Sequence, residues 1–338
     1  MSKQNMKQWL EEVKGAPKKL PMPILSFPCT SLMNVNVKEL TSDCNLQAAG
    51  MKLIADRHPS LASVSMMDLS VEAEAFGSEI LITEHEVPTV LGAIVTSEEE
   101  AKALQIPSLE AGRCMQYVEA IRMAKEQITD RPVFAGVIGP FSLAGRLMDV
   151  SEAMINCYTE PDMVHITLDK VTQFLITYIN AYKTAGADGV VMAEPLAGML
   201  SPGLAGEFSA DYVRKIVDAV QTDDFIVIYH NCGDNTLLMT DSILSTGAAA
   251  YHFGNAISMK EMLQKIPTDT VVMGNVDPAG QIKGGTPESV RADTLRIMGE
   301  CCDHANFVIS SGCDIPPASA WENIDAFFSA ANEFYQNR

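Results

Sequence analysis

Eight times along this chain a short, nearly uninterrupted run of apolar and β-branched residues ends in Gly, Pro, Asn or Asp and gives way to a helical pattern. Six runs are clear, at 133–138, 189–192, 225–229, 248–253, 270–276 and 307–310; those at 23–27 and 62–67 are less regular. Strands that are apolar at every position are covered on both faces, and the intervening helices do the covering, so the sheet is parallel. Eight such units favour a closed (β/α)8 barrel, an α/β fold, over an open doubly wound sheet. The residues before position 23 form an N-terminal extension. The stretch 71–127, between the second and third strands, is long enough for helices plus a hairpin at 80–94.

Helix boundaries are marked by residue type. Glu160–Pro161–Asp162 opens a long helix that runs to Ala185–Gly186, and Thr286, Pro287 and Glu288 supply a cap, a first helical residue and a first-turn acid. The length of 338 residues admits two domains at roughly 150 residues each, or one barrel with insertions. The strand–helix units run through the whole chain, so a single domain, 1–338, is expected. No Gly-x-Gly-x-x-Gly follows the first strand and no phosphate loop is present, so dinucleotide and nucleoside-triphosphate binding lack motif support.

Charge and apolar pattern narrow the function classes. A net charge of −19 repels phosphate backbones and anionic lipid, so neither nucleic acid nor a membrane surface is an expected partner. There is no apolar run of about 18 residues and no signal-peptide core near the start, so a cytoplasmic location is expected. Eight cysteines are too dilute for a disulfide scaffold; most belong in the core, and some are candidate metal ligands.

A barrel of this kind performs chemistry at the C-terminal ends of its strands. The residues there are Asp68, Gly139–Pro140, Glu194, His230 and Cys232, His252 and Asn255, Asn275 and Asp277, and Cys313. His230 and Cys232 stand two apart at a strand end, so their side chains point the same way. Cys313 faces the same mouth from the last strand. One imidazole and two thiolates suit zinc and leave a fourth position open, as catalytic zinc sites do. Read without further context, such a pair is more often a buried cysteine beside a hydrogen-bonded histidine, and its place at the catalytic face is what favours the metal.

Four signatures, in chain order, carry a resemblance. They are Asp68–Leu69–Ser70–Val71–Glu72–Ala73–Glu74–Ala75–Phe76–Gly77, Gly139–Pro140–Phe141–Ser142–Leu143–Ala144, Gly186–Ala187–Asp188–Gly189 through Leu200–Ser201–Pro202, and Gly274–Asn275–Val276–Asp277–Pro278. Together they resemble the uroporphyrinogen decarboxylase superfamily, which implies a (β/α)8 barrel. The decarboxylases carry an Arg-Gln-Ala-Gly-Arg run after the first strand, where this chain has Ser26–Phe27–Pro28–Cys29–Thr30–Ser31–Leu32, and end the last strand in Gly-His-Gly-Ile, where it has Gly312–Cys313–Asp314–Ile315. The chain is similar instead to the zinc-dependent branch that moves a methyl group from a methylated corrinoid protein to coenzyme M or a related acceptor. That resemblance implies His230, Cys232 and Cys313 as zinc ligands and a methylcobamide carried by a separate partner protein, since no Asp-x-His-x-x-Gly corrinoid loop is present.

Several of the remaining candidates have more than one reading. Glu194 is a fourth ligand, a proton acceptor, or a rim carboxylate held by backbone N–H groups. His252 orients substrate or makes a structural hydrogen bond. Asp68 supports His230 from behind, or caps the next helix; it is also the central carboxylate of a metal-independent decarboxylase, the alternative function, with a non-catalytic zinc-binding paralogue as a third. Asn275 and Asp68 suit a pterin or folate acceptor, Arg146 the sulfonate of coenzyme M, and Asp277 reads as a turn former.

Overall fold

The computed structural model describes residues 4–336, so residues 1–3 and 337–338 of the expected 1–338 domain lie outside the described residues. In chain order its strands are β1 (Ser63–Val64), β2 (Glu79–Leu81), β3 (Thr89–Leu91), β4 (Val133–Ile138), β5 (Gly189–Ala193), β6 (Ile226–Asn231), β7 (Ala250–Phe253), β8 (Val271–Val276) and β9 (Phe307–Ser311). Seven of them form one curled parallel sheet in the order β1-β4-β5-β6-β7-β8-β9, a (β/α)8-type barrel wall, and β2 pairs antiparallel with β3 in the expected hairpin. The six clear runs all became strands, within two residues at their ends.

The expected first strand, 23–27, is corrected: it forms no ladder. Towards β9 it is held by Met22 N–H on Ile309 O (3.0 Å), Ser310 Oγ–H on Met22 O (2.7 Å) and Ile24 N–H on Ser311 Oγ (3.0 Å), while Pro21 and Pro23, which alternate to the β1 side, have no N–H to donate there. On the other side Leu61 N–H donates to Pro21 O (3.0 Å), so irregular extended chain fills the eighth stave of the wall. β1 is shorter than 62–67 because a side chain takes over its ladder: Gly136 N–H donates to Ser65 Oγ (2.9 Å).

Apolar residues pack in two layers. Between sheet and helices lie Val227 and Tyr229 of β6, with Phe174 and Leu175 of the long helix Pro161–Ala185, which Gly186 terminates at φ 101°. Inside the barrel lie the alternating Ile226 and Ile228 of β6, with Ala250, Val271, Met273 and Val308. The N-terminal extension forms helix Met6–Gly15, capped by Asn5. It buries Met6, Trp9, Leu10 and Val13 against that inner layer, and Met6 N–H donates to Asp223 O (2.7 Å) ahead of β6, which places the helix under the N-terminal ends of the strands. The opposite mouth is left for chemistry. Beside it, Ile94 and Val95 N–H both donate to Leu147 O (2.8 and 3.0 Å), docking the inserted region on helix Pro140–Met148. Among the described residues no helix is long and apolar enough to cross a membrane.

Candidate metal centre

Ile226 and Ile228 point into the barrel, so period-2 alternation turns His230 inward as well, at the top of β6 and 1 % exposed. Cys232 follows one residue past the strand end, and Cys313 two residues past β9. Their ligand atoms and that of His230 all lie within 4.8 Å of one another, with Cys313 Sγ 3.5 Å from His230 Nε2. Zinc bonds of about 2.3 Å to sulfur and about 2.1 Å to nitrogen, set tetrahedrally, need ligand separations of about 3.5–3.8 Å. The three side chains therefore fit a zinc ion, on the geometry and on the softness of the donors.

The sulfurs behave as a pair. A hydrogen bond between them pulls the Cys232 thiol below its ordinary range, against burial, and the same bond together with burial pushes Cys313 up to about 12. Metal-bound cysteine is thiolate, so a dication held here would displace the protons of both sulfurs.

Neighbouring loops set the positions of the ligands. A Cβ on Gly254, just after β7, would lie 2.5 Å from Cys232 Cβ, so only glycine lets the loop pass there. Asn275 holds that loop, donating from Nδ2 to Gly254 O and Ile257 O, both at 2.9 Å. Both of its N–H groups are thus spent on backbone. A Cβ on Gly312 would lie 2.8 Å from the Asn255 N atom, so Cys313 is seated against the same loop.

His252 stands beside His230 in the β6–β7 register and is 2 % exposed. Its Nδ1 is 2.8 Å from His230 Nδ1 and its Nε2 is 2.8 Å from Ser310 Oγ. Burial, and then the neighbouring ring, hold its pKa well below the usual histidine range.

Glu194 is fully buried at the end of β5. Its carboxylate accepts from Phe141 N–H (2.8 Å), Ser142 N–H (3.3 Å) and Ser209 Oγ–H (3.0 Å), at the N-terminus of helix Pro140–Met148. Burial nevertheless pushes its pKa to about 7. It is not one of the three clustered ligands.

The expected support of His230 by Asp68 is corrected. Arg113 Nη1 (2.6 Å), Tyr117 Oη (2.7 Å) and the Ser70 hydroxyl (2.6 Å) take up the Asp68 carboxylate, and none of its hydrogen bonds among the described residues reaches His230. Asp277 turns the chain as expected, accepting from Ala279 and Gly280 N–H, both at 2.9 Å. Ser310 and Gly254 were not singled out from the sequence. Serine in a strand and glycine in a loop are commonplace there, and only their contacts mark them. Asp314 was missed too: burial pushes its carboxyl well above the usual range, and its Oδ1 has no partner among the described residues.

Comparison with known proteins agrees with this architecture. A solved structure described as a methyltransferase from Methanosarcina mazei superposes with a TM-score of 0.85 at 24% identity, covering 99% of this chain and 100% of that one. The methylcobamide:CoM methyltransferase MtbA of the same organism is 27% identical over 274 residues, 79% of this chain and 78% of the relative. The uroporphyrinogen decarboxylase of Alcanivorax borkumensis is 27% identical over 295 residues, 83% of this chain and 81% of the relative. The family model described as uroporphyrinogen decarboxylase (URO-D) matches residues 11–334, nearly the whole length, and the chain belongs to that family.

Proposed function

We propose that this chain, acting as a single barrel domain, is a zinc-dependent methyltransferase that moves a methyl group from a methylated corrinoid protein to a small thiol such as coenzyme M. The observation that carries the reading is the convergence of His230, Cys232 and Cys313 at the catalytic mouth. The similarity to MtbA, a methylcobamide:CoM methyltransferase, supports it. Zinc held by two thiolates and a neutral imidazole carries no net charge and would supply a place where an acceptor thiol binds as its thiolate. The acceptor sulfur forms its bond to the methyl carbon while the carbon–cobalt bond breaks, leaving the electron pair on cobalt.

The chain's own residues align and hold. His252, Asn275 and Glu194 stand behind the ligands: His252 against the His230 ring, Asn275 on the loop that seats Cys232, and Glu194 through its N–H on His230 O (2.9 Å). Arg146 is half-buried on helix Pro140–Met148 with no hydrogen bond or ion pair among the described residues. It is assigned to the acceptor's sulfonate. The decarboxylase relative is as similar as MtbA, but the site speaks against that alternative, because Arg113 and Tyr117 engage the Asp68 carboxylate and the stretch 26–32 contains no arginine.

Metal analysis of the purified protein is expected to find about one zinc per chain. Incubation with methylcobalamin and a panel of thiols and folates, followed by cobalt(I) absorbance, is expected to show turnover with a thiol. Cys232→Ser loses metal and turnover together. Full activity in the metal-free protein would overturn the proposal.

A further inference from the structure

A line of polar atoms crosses the inside of the barrel from the N-terminal segment to the two sulfurs. Ser310 Oγ lies 2.7 Å from Met22 O, His252 Nε2 lies 2.8 Å from Ser310 Oγ, and His252 Nδ1 lies 2.8 Å from His230 Nδ1. His230 Nε2 then faces Cys313 Sγ at 3.5 Å. Each link restricts the next. A carbonyl oxygen only accepts, so the single hydroxyl hydrogen of Ser310 is spent on Met22 O. Ser310 Oγ must therefore accept, and His252 Nε2 must carry a hydrogen.

The two rings are 1 % and 2 % exposed, and neither has a carboxylate among its hydrogen-bond partners. A charged His252 ring would face only a hydroxyl and a second imidazole, so His252 carries just the one hydrogen already placed on Nε2. A neutral ring protonated at Nε2 presents a lone pair at Nδ1. Two N–H groups cannot face each other at 2.8 Å, so His230 Nδ1 carries the hydrogen and donates it to His252 Nδ1. His230 Nε2, which faces Cys313 Sγ, is thereby the nitrogen left open to a metal.

We infer that His252 is a positioning residue: with Ser310 and the Met22 carbonyl it fixes the tautomer of His230, so that Nε2 is presented to the metal before any metal arrives. The chain ends on a fixed point, because Met22 N–H is itself paired with Ile309 O on β9 (3.0 Å). The irregular segment that fills the eighth stave thereby orients a ligand on β6. The usefulness of this device rests on the zinc reading proposed above; the tautomers themselves do not.

Long-range proton–nitrogen correlation spectra of the metal-free protein, labelled with nitrogen-15 in histidine, read both tautomers directly. The expected result is His230 protonated at Nδ1 and His252 at Nε2. Zinc affinity, measured by competition with a chromogenic chelator, is expected to fall about 10- to 100-fold in His252→Leu, which cannot accept the His230 hydrogen. His252→Asn, whose Oδ1 can accept it, keeps most of the affinity. Ser310→Ala removes the hydroxyl that sets the direction, and His252 then populates both tautomers. His230 protonated at Nε2 in the metal-free wild type, or His252→Leu binding zinc as tightly as wild type, would overturn the inference. Should His252→Leu fail to fold, the wild-type and Ser310→Ala spectra decide. Absence of zinc binding by the wild type removes the proposed function, and the spectra still decide the tautomers.

Discussion

Glu72 is a carboxyl group 2 % exposed; its Oε1 accepts the Ile138 N–H (3.0 Å) and its Oε2 has no donor. Burial pushes its pKa from 4.5 to about 7, outweighing the hydrogen bonds that lower it. Between those values the unfolded chain has released the proton and the folded chain keeps it, so stability falls as pH rises through that window. The full difference is about 3 kcal/mol. Urea unfolding at several pH values is expected to show that from pH 5 to 7 the wild type loses stability relative to Glu72→Gln, whose profile is flatter; equal slopes would refute the assignment. Glu194, raised to the same range, contributes with the same sign, which is why the variant's profile is flatter rather than level. Burial of the Arg146 guanidinium lowers its pKa, and a bound sulfonate would compensate that lost hydration. Arg146→Ala is expected to raise the KM for coenzyme M about tenfold while leaving that for 2-mercaptoethanol, which lacks the sulfonate, unchanged.

The loop after β7 links fold to site. A methyl group added at Gly254 would press on Cys232, so Gly254→Ala is expected to weaken zinc binding and cost about 1–3 kcal/mol of stability, read by chelator competition and urea unfolding. An unchanged zinc affinity would show that the loop can yield. Such close approaches were illegible in the sequence, because they join residues from different strand–loop units. The elements themselves were legible where local chemistry dictates them. Pro161 begins and Gly186 ends the long helix, and Thr286 caps its own helix in a capping box with Ser289. The stretch 23–27 looked like a strand because its apolar pattern is right; prolines removed the donors a ladder needs.

The His230–Cys232–Cys313 cluster and the N-terminal helix sit at opposite ends of the barrel, and the two ends are expected to respond separately to mutation. Trp9 is 6 % exposed and packs on Phe134 with ring centroids 5.8 Å apart. Trp9→Ala should cost about 3–5 kcal/mol in urea unfolding and leave zinc affinity intact; a parallel loss of metal would show that the floor and the mouth are coupled. The strand–helix alternation, the parallel sheet and the strand-end placement of His230, Cys232 and Cys313 follow from period, hydropathy and residue type, which are local and survive in a linear reading. The Arg113 grip on Asp68, the seating of Cys232 by Gly254 and Asn275, and the Met22–Ser310–His252–His230 line depend on side chains tens to hundreds of positions apart. No propensity encodes such partners. Closing the barrel brings them within hydrogen-bonding distance, and burial then obliges each polar group to find one.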